Sequence, residues 1–413
     1  AGAWVIDQAA TATQSGSRYR ACSVCGRELV RETIPATGGG SSGGSSSGGS
    51  SGGNSSGGTT TSTVKNPDGS TTSTSTNNIT GTVTETTKRP DGSQTVIETK
   101  KDGTVTTTER QEDGSTVKIV DRADGSSETT VRQADGIAAE AGVDRNGRME
   151  AQVDLPSKVV KNAQSTGSAV TLPIPEMPLS RSEDSTLLVR TGSNWPVKVE
   201  VPARVTSGTV AVIIGRDGSE TVIRTSALTS GGVVVAVPDG AVVKLVDNSR
   251  DFYDTRDHWA RDAIDFVSAR ELFSGKTGGA FAPDATMTRA MVATVLARLD
   301  GADTESGLTW YEGGMSWAVT HGISDGKNPD GYITREQLAS MLYRYAGRPG
   351  VTDGELRFSD VGAISGYALE AMRWAVENGI LSGYGDGTLA PGGKATRAQT
   401  AAILMRYVDF LNK

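Results

Sequence analysis

Three Thr-Arg pairs are the residues of this chain whose type and spacing most readily suggest chemistry: Thr288-Arg289, Thr334-Arg335 and Thr396-Arg397. Threonine is a good helix N-cap, because its hydroxyl accepts a hydrogen bond from a backbone N–H left open in the first turn. Gln337 and Gln399 stand three residues after their threonines, the spacing of a capping box. The arginine that follows each threonine is less expected, since a cation in the first turn opposes the helix dipole. Its recurrence admits two explanations. The guanidinium and the free helix-start N–H groups could converge on a carboxylate or phosphate. Alternatively the arginine is structural and bridges to a loop acid such as Asp284, Asp330 or Asp386.

Other candidates cluster in the same C-terminal region. Trp259, Trp310 and Tyr367 precede helical patterns and could stack on sugar faces, whereas Trp317 and Trp374 fall on apolar stripes and read as core. Gly383, Gly385 and Gly387 with Asp386 form a loop whose backbone could approach a ligand closely, or simply a tight turn into Leu389–Pro391. Asp325 to Glu336 has the length of a calcium loop, but Lys327 and Pro329 occupy positions that must supply oxygens, so no metal site is expected there. The only cysteines, Cys22 and Cys25, read foremost as a disulfide or small turn clasp, with metal binding or redox chemistry as alternatives. His258 and His321 sit in no recognisable motif, and no nucleophile–base–acid arrangement is visible. Neither an enzyme nor a cofactor is expected.

The elements that must position these residues repeat three times. Each copy reads as a helix, a glycine-containing turn and a second helix opened by Thr-Arg. The markers are Trp259-Ala260, Ile264 and Gly275; Trp317-Ala318, Gly322-Ile323 and Gly326; and Trp374-Ala375, Gly379-Ile380 and Gly383. Such a unit is too small to bury a core alone, so the copies must pack on one another.

Phe358-Ser-Asp360-Val361, the Trp-Ala pairs, the run Gly379 to Thr388 and the three Thr-Arg pairs resemble the S-layer homology (SLH) repeat of bacterial cell-surface proteins. The resemblance covers residues 251–413. It implies a pseudo-threefold helical bundle whose inter-repeat grooves bind secondary cell-wall polysaccharide, often pyruvylated. It also places Arg397, Arg289 and Arg335 at those grooves and the chain outside the cell, on the wall. Two departures stand out. Copy two runs only 8 residues from Gly326 to Thr334, against 13 in the others, and lacks the Phe-x-Pro of Phe281–Pro283. Copy one has Met291 where the family usually carries a polar residue.

Composition limits the rest. Of 21 aromatic residues, 18 lie after residue 250, so a large conventional core is expected only there. A net charge of −7 with mixed signs argues against nucleic acid and anionic membrane surfaces as partners. No apolar stretch approaches the roughly 20 residues needed to span a bilayer. The chain opens at Ala1-Gly2-Ala3-Trp4 with neither Met nor a signal-like segment, and reads as a fragment or processed product.

The expected organisation is multidomain, α plus all-β. A small Cys-x-x-Cys module (1–37) and a Gly/Ser linker (38–60) lead into a Thr-rich meander (61–136). In the meander Asp-Gly recurs every 11 residues from Asp91 to Asp135. Asp-Gly suggests two-residue turns with positive φ at both central positions. With few apolar residues and no aromatics, the meander reads as a stalk. Seven strand-like runs suggest a β-sandwich-like connector (137–250), with Trp195 at its core or edge. The SLH repeats follow at 251–300, 301–347 and 354–413. The combined expectation is a non-enzymatic protein anchored to the wall. The anchoring tail of a longer enzyme or adhesin, and a self-assembling array subunit, are the alternatives.

Overall fold

The computed structural model describes residues 58–180, 185–352 and 354–412, together with the backbone of three N-terminal strands. Those strands, β1 (Val5–Gln8), β2 (Gly16–Ala21) and β3 (Glu28–Ile34), form an antiparallel sheet. Cys22, Cys25 and residues 38–57 of the Gly/Ser run lie outside the described residues.

Nine strands of the meander follow: β4 (Thr59–Lys65), β5 (Thr71–Asn77), β6 (Val83–Lys88), β7 (Gln94–Thr99), β8 (Val105–Arg110), β9 (Thr116–Asp121), β10 (Ser127–Arg132), β11 (Ala138–Val143) and β12 (Met149–Asp154). The Asp-Gly turns differ from expectation. In six of them, and again at Asn146-Gly147, a glycine N–H returns to the carbonyl three residues earlier, as from Gly114 to Gln111 at 3.1 Å, and only the glycine has positive φ. This is a type I turn closed by a glycine bulge, which spares the aspartate a left-handed backbone. The aspartate acts through its side chain instead. Asp113 Oδ1 accepts the Ser115 N–H at 2.8 Å, and Asp68, Asp91, Asp102, Asp124 and Asp135 do the same.

The meander does not stop at residue 136. β10 pairs with β11 and β11 with β12 in unbroken antiparallel register, through a turn at Asp144–Gly147. The chain then forms a helix absent from the sequence reading, α1 (Ser157–Thr166), and enters β13 (Val170–Thr171), β14 (Thr186–Arg190), β15 (Val197–Pro202), β16 (Thr209–Ile214), β17 (Glu220–Val222), β18 (Ala227–Leu228), β19 (Gly232–Val237) and β20 (Ala241–Asp247). Each of the seven expected runs overlaps a strand. β14 docks parallel to β12, so meander and connector share one 13-stranded sheet, in the order β17-β16-β20-β14-β12 and on to β4. A second sheet, β13-β15-β19-β18, and α1 cover one face of it. Val117, Ile119, Val131, Val153, Leu187 and Val243 point into that layer, while Lys118, Glu128, Glu140 and Glu150 line the outer face. Trp195 belongs to neither core nor sheet. It is 75% exposed in the loop before β15, because the small Val-rich layers fill without it.

Six helices complete the chain: α2 (Arg261–Ala269), α3 (Arg289–Leu299), α4 (Glu312–Thr320), α5 (Arg335–Tyr345), α6 (Leu369–Glu377) and α7 (Arg397–Leu411). They share one core, in which Trp374 and Trp317 are buried as expected. This bundle is fastened to the sheets. Arg270, fully buried at the end of α2, donates to Ser226 O (2.7 Å), Thr209 O (3.2 Å) and Phe266 O (3.2 Å). Burial pushes its guanidinium pKa down to about 9, with Asp409 opposing the shift. At the end of α7, Asn412 donates to Thr225 O, and Lys198 donates to Leu411 O.

Because the repeat length is odd, removing one unit turns every upstream strand over. Deleting Asp124–Ala134 would bring Lys118 opposite Ala141 on the core face and turn Val117 and Ile119 outward. Each buried aliphatic side chain contributes about 1.5–3 kcal/mol, so the loss should exceed about 3 kcal/mol by chemical denaturation. Deleting Asp102–Glu112 should cost little, because β7 carries adjacent Val96 and Ile97 and β4 to β6 carry Ser and Thr on both faces. Equal destabilisation by the two deletions would contradict the sheet register.

A second expectation concerns the junction. Arg270→Ala leaves the Ser226 and Thr209 carbonyls without their donor and opens a cavity. It should destabilise the folded chain by about 3 kcal/mol or more, read from denaturant midpoints.

Candidate functional site: the inter-repeat grooves

The three repeats close on one another through their backbones. Met287 N–H donates to Ala395 O (2.9 Å), Ala395 N–H to Ile333 O (3.0 Å), and Ile333 N–H to Met287 O (3.0 Å), a ring around the pseudo-threefold axis. Each second helix then plants its first turn on the loop of another repeat. The N–H groups of Arg289 and Ala290 go to Gly331 O and Pro329 O, those of Arg335 and Glu336 to Gly393 O and Pro391 O, and those of Arg397 and Ala398 to Ala285 O and Pro283 O. The third N–H goes to the threonine cap: Met291 to Thr288, Gln337 to Thr334, Gln399 to Thr396. Both expected capping boxes are present, at Thr334/Gln337 and Thr396/Gln399.

These bonds take the helix-start N–H groups that an anion would have used. The guanidinium groups are engaged too. Arg397 donates to Phe281 O (2.8 Å) and Ser274 O (2.9 Å), and Arg335 to Leu389 O (2.8 Å) and Ser382 O (2.7 Å). Both are almost fully buried, and burial lowers their pKa values below the ordinary arginine range. Arg289 differs, donating to Lys327 O and pairing with Asp325 at 2.6 Å. The acids to which the arginines would have bridged, Asp284, Asp330 and Asp386, are replaced by loop carbonyls and by Asp325. The acidic ends of the calcium-length loop also diverge, since Glu336 accepts from Ser365 N–H, Ser365 Oγ and Tyr367 Oη.

A groove of about 340 Å³ opens where repeats three, two and one meet. Its floor is Leu381–Tyr384 with Ala402 and Ile403 of α7, and its polar groups are Arg335, Gln399 and Arg406. Exposed Trp259 of repeat one forms a wall. Arg335 stands 4.7 Å over the Tyr384 ring, and Gln399 Nε2 donates to Tyr384 Oη at 2.9 Å. Arg406 Nη1 reaches Ser382 Oγ at 3.1 Å. No carboxylate lines this groove.

Of the sequence candidates, Trp259 and Arg335 meet here. Trp310 and Tyr367 occupy the matching place two residues before α4 and α6, and both are exposed. Gly385, Asp386 and Gly387 are not in the groove lining. They form a turn of the meander type, with Gly387 N–H on Tyr384 O and Asp386 Oδ1 accepting Thr388 N–H and Oγ1. Sequence reading missed Arg298, Arg344 and Arg406, each ten residues after a capping threonine, a period that repeat alignment would have exposed.

The clamps set a stability order. Arg397→Ala and Arg335→Ala each remove two charge-assisted bonds to loop carbonyls and should cost about 2–4 kcal/mol. Arg289→Ala should cost less, because Asp325 is largely exposed and solvent screens the pair. Denaturant midpoints of the three variants test this order, and a larger loss for Arg289→Ala would overturn it.

The comparisons with known proteins fall on this same region. The profile of the S-layer homology domain matches residues 251–291 and 357–401. Over 179 residues the chain is 32% identical to an amylopullulanase of Thermoanaerobacterium thermosulfurigenes, spanning 38% of this chain and 9% of that protein. Over 160 residues it is 28% identical to a cellulosome-anchoring protein of Acetivibrio thermocellus, spanning 33% of this chain and 35% of that protein. Over 196 residues it is 26% identical to the S-layer protein sap of Bacillus anthracis, spanning 43% of this chain and 24% of that protein. The chain therefore spans well under half the length of each of these relatives. Profile and relatives agree with the threefold geometry that the helical region is built from S-layer homology repeats, and the chain is an S-layer homology domain-containing protein.

Proposed function

We propose that the helical trio anchors the chain at the bacterial cell surface by holding secondary cell-wall polysaccharide non-covalently. The observation that carries this reading is the groove of Trp259, Arg335, Tyr384, Gln399 and Arg406. It offers aromatic faces for sugar rings, amide and hydroxyl groups for sugar hydroxyls, and two guanidinium groups with no carboxylate to neutralise them. A pyruvyl ketal on the glycan would supply the matching anion. Arg335 is held by the loop and acts as a fixed charge under Tyr384, while Arg406 rests on a hydroxyl that a ligand can replace. The relatives support anchoring: one is named for anchoring the cellulosome and another is an S-layer protein. The β-sheets act as the stalk that carries the N-terminal strands away from the wall.

The bundle is bonded to the sheets through Arg270, Lys198 and Asn412, so the test uses the whole chain. It should be retained on purified wall sacculi that carry the polysaccharide and lost from sacculi stripped of it. Trp259→Ala and Arg406→Ala should each weaken retention about tenfold with melting unchanged, the size of one charge-assisted or stacking contact. Equal retention on stripped sacculi would sink the reading. Ordered arrays formed by the purified chain without wall would favour the self-assembly alternative.

A further inference from the structure

We infer that only one of the three quasi-equivalent grooves binds glycan, the one built on Arg335, Arg406 and Trp259, so that each chain takes a single glycan end. This inference rests on the polysaccharide reading above and fixes its stoichiometry. The threefold relation allows each groove to be compared position by position with the other two.

In the groove built on Arg289, the cation is already neutralised. Asp325 occupies the position held by Ser382 in the open groove and pairs with Arg289 at 2.6 Å. Arg344, the counterpart of Arg406, donates to the carbonyl of Ile323 rather than to a replaceable hydroxyl. Glu336 replaces the alanine found at the second helical position of α3 and α7. It holds Tyr367, the counterpart of Trp259, by its hydroxyl at 3.2 Å. An anionic sugar entering there would meet two carboxylates and an aromatic ring tied down to one of them.

The groove built on Arg397 is lost differently. Met291 stands where Gln399 stands in the open groove, so the amide donor is missing. Arg298, the counterpart of Arg406, is fixed to Leu272 O and close to Thr304 Oγ1. α4 also lies tighter on α3 than its counterparts allow. At Gly314 an added Cβ would come within 2.6 Å of Thr294 Cα, whereas the matching residues of α2 and α6 are Ala263 and Ala371. The space next to Arg298 is shared with Glu271, Asp303 and Glu305, so its charge is mixed.

The test is calorimetric titration of the full chain with a monovalent probe, the methyl glycoside of a 4,6-pyruvylated hexose, against the same sugar without the ketal. One probe per chain is expected. Trp259→Ala combined with Arg406→Ala should weaken binding at least about tenfold, while Trp310→Ala and Tyr367→Ala leave it unchanged. Asp325→Asn combined with Glu336→Gln should add a second site, because it frees Arg289. Two or three probes on the unaltered chain, or loss of binding in Trp310→Ala or Tyr367→Ala with normal melting, would overturn the single-groove inference but leave the polysaccharide reading standing. No binding of the probe, together with no retention on polysaccharide-bearing sacculi, would overturn both.

Discussion

The bundle depends on an exchange of backbone hydrogen bonds among three units that cannot fold alone. A short helix leaves its first N–H groups without intrahelical partners. Here the first two are given to loop carbonyls of another repeat and the third to a threonine cap, in all three copies. The exchange is cyclic, so no repeat has a free end, and the Met287–Ala395–Ile333 ring fixes the axis about which it closes. The arginine that should be unfavourable in the first turn becomes intelligible in this setting. Its guanidinium meets carbonyl oxygens at the far side of the same loop, and those contacts offset the dipole penalty. The arginine that reads as a ligand group thereby also clamps one repeat to another.

The clamp also shapes what is left for recognition. Each loop that receives an arginine forms the floor of a groove, so groove chemistry is set by the few side chains the clamp does not use. Those positions have diverged while the clamp is kept. Gln399 stands in one groove and Met291 at the same position of another, Asp325 stands where Ser382 does, and Trp259 is free where Tyr367 is tied to Glu336. Burying Arg335 and Arg397 lowers their pKa values, but each retains carbonyl acceptors, so they remain fixed cations under the grooves.

Much of this was legible in the sequence because it obeys local rules. Thr334 with Gln337 predicted a capping box, Trp374 sat on an apolar stripe, and the recurrence of Asp-Gly every 11 residues marked turns between strands. What could not be read depended on partners distant in the chain. The three arginines were ambiguous because their acceptors lie in other repeats, 116 residues away for Arg397 and Phe281. Trp195 reads as a core or edge residue because a lone aromatic is too little for a sugar-stacking platform, while its actual place depends on how Val-rich layers already fill. In sequence the meander ends at residue 136 because Asn146-Gly147 replaces Asp-Gly, although Asp144 then takes over as acceptor for the N–H groups of Asn146 and Arg148. α1 leaves little mark in the sequence because its weakly apolar face buries only Val160 and Ala163.

The shared sheet gives the stalk a physical character different from that of a flexible linker. Strands stack about 4.8 Å apart, so the nine strands from β4 to β12 extend roughly 38 Å from the first to the last. Each 11-residue unit therefore adds about 4.8 Å of height, compared with about 36 Å if it were pulled straight. That poor reach is exchanged for stiffness, since every strand is hydrogen-bonded on both sides except at the outer edge. The parallel pairing of β12 with β14 passes this stiffness into the two-layer core, and Arg270 passes it on from the core to α2. A force applied at β4 would thus meet a continuous bonded path to the helices, with no unstructured hinge among the described residues between β12 and α2. The strands from β4 to β12 are therefore a rigid extension of the two-layer core rather than a tether.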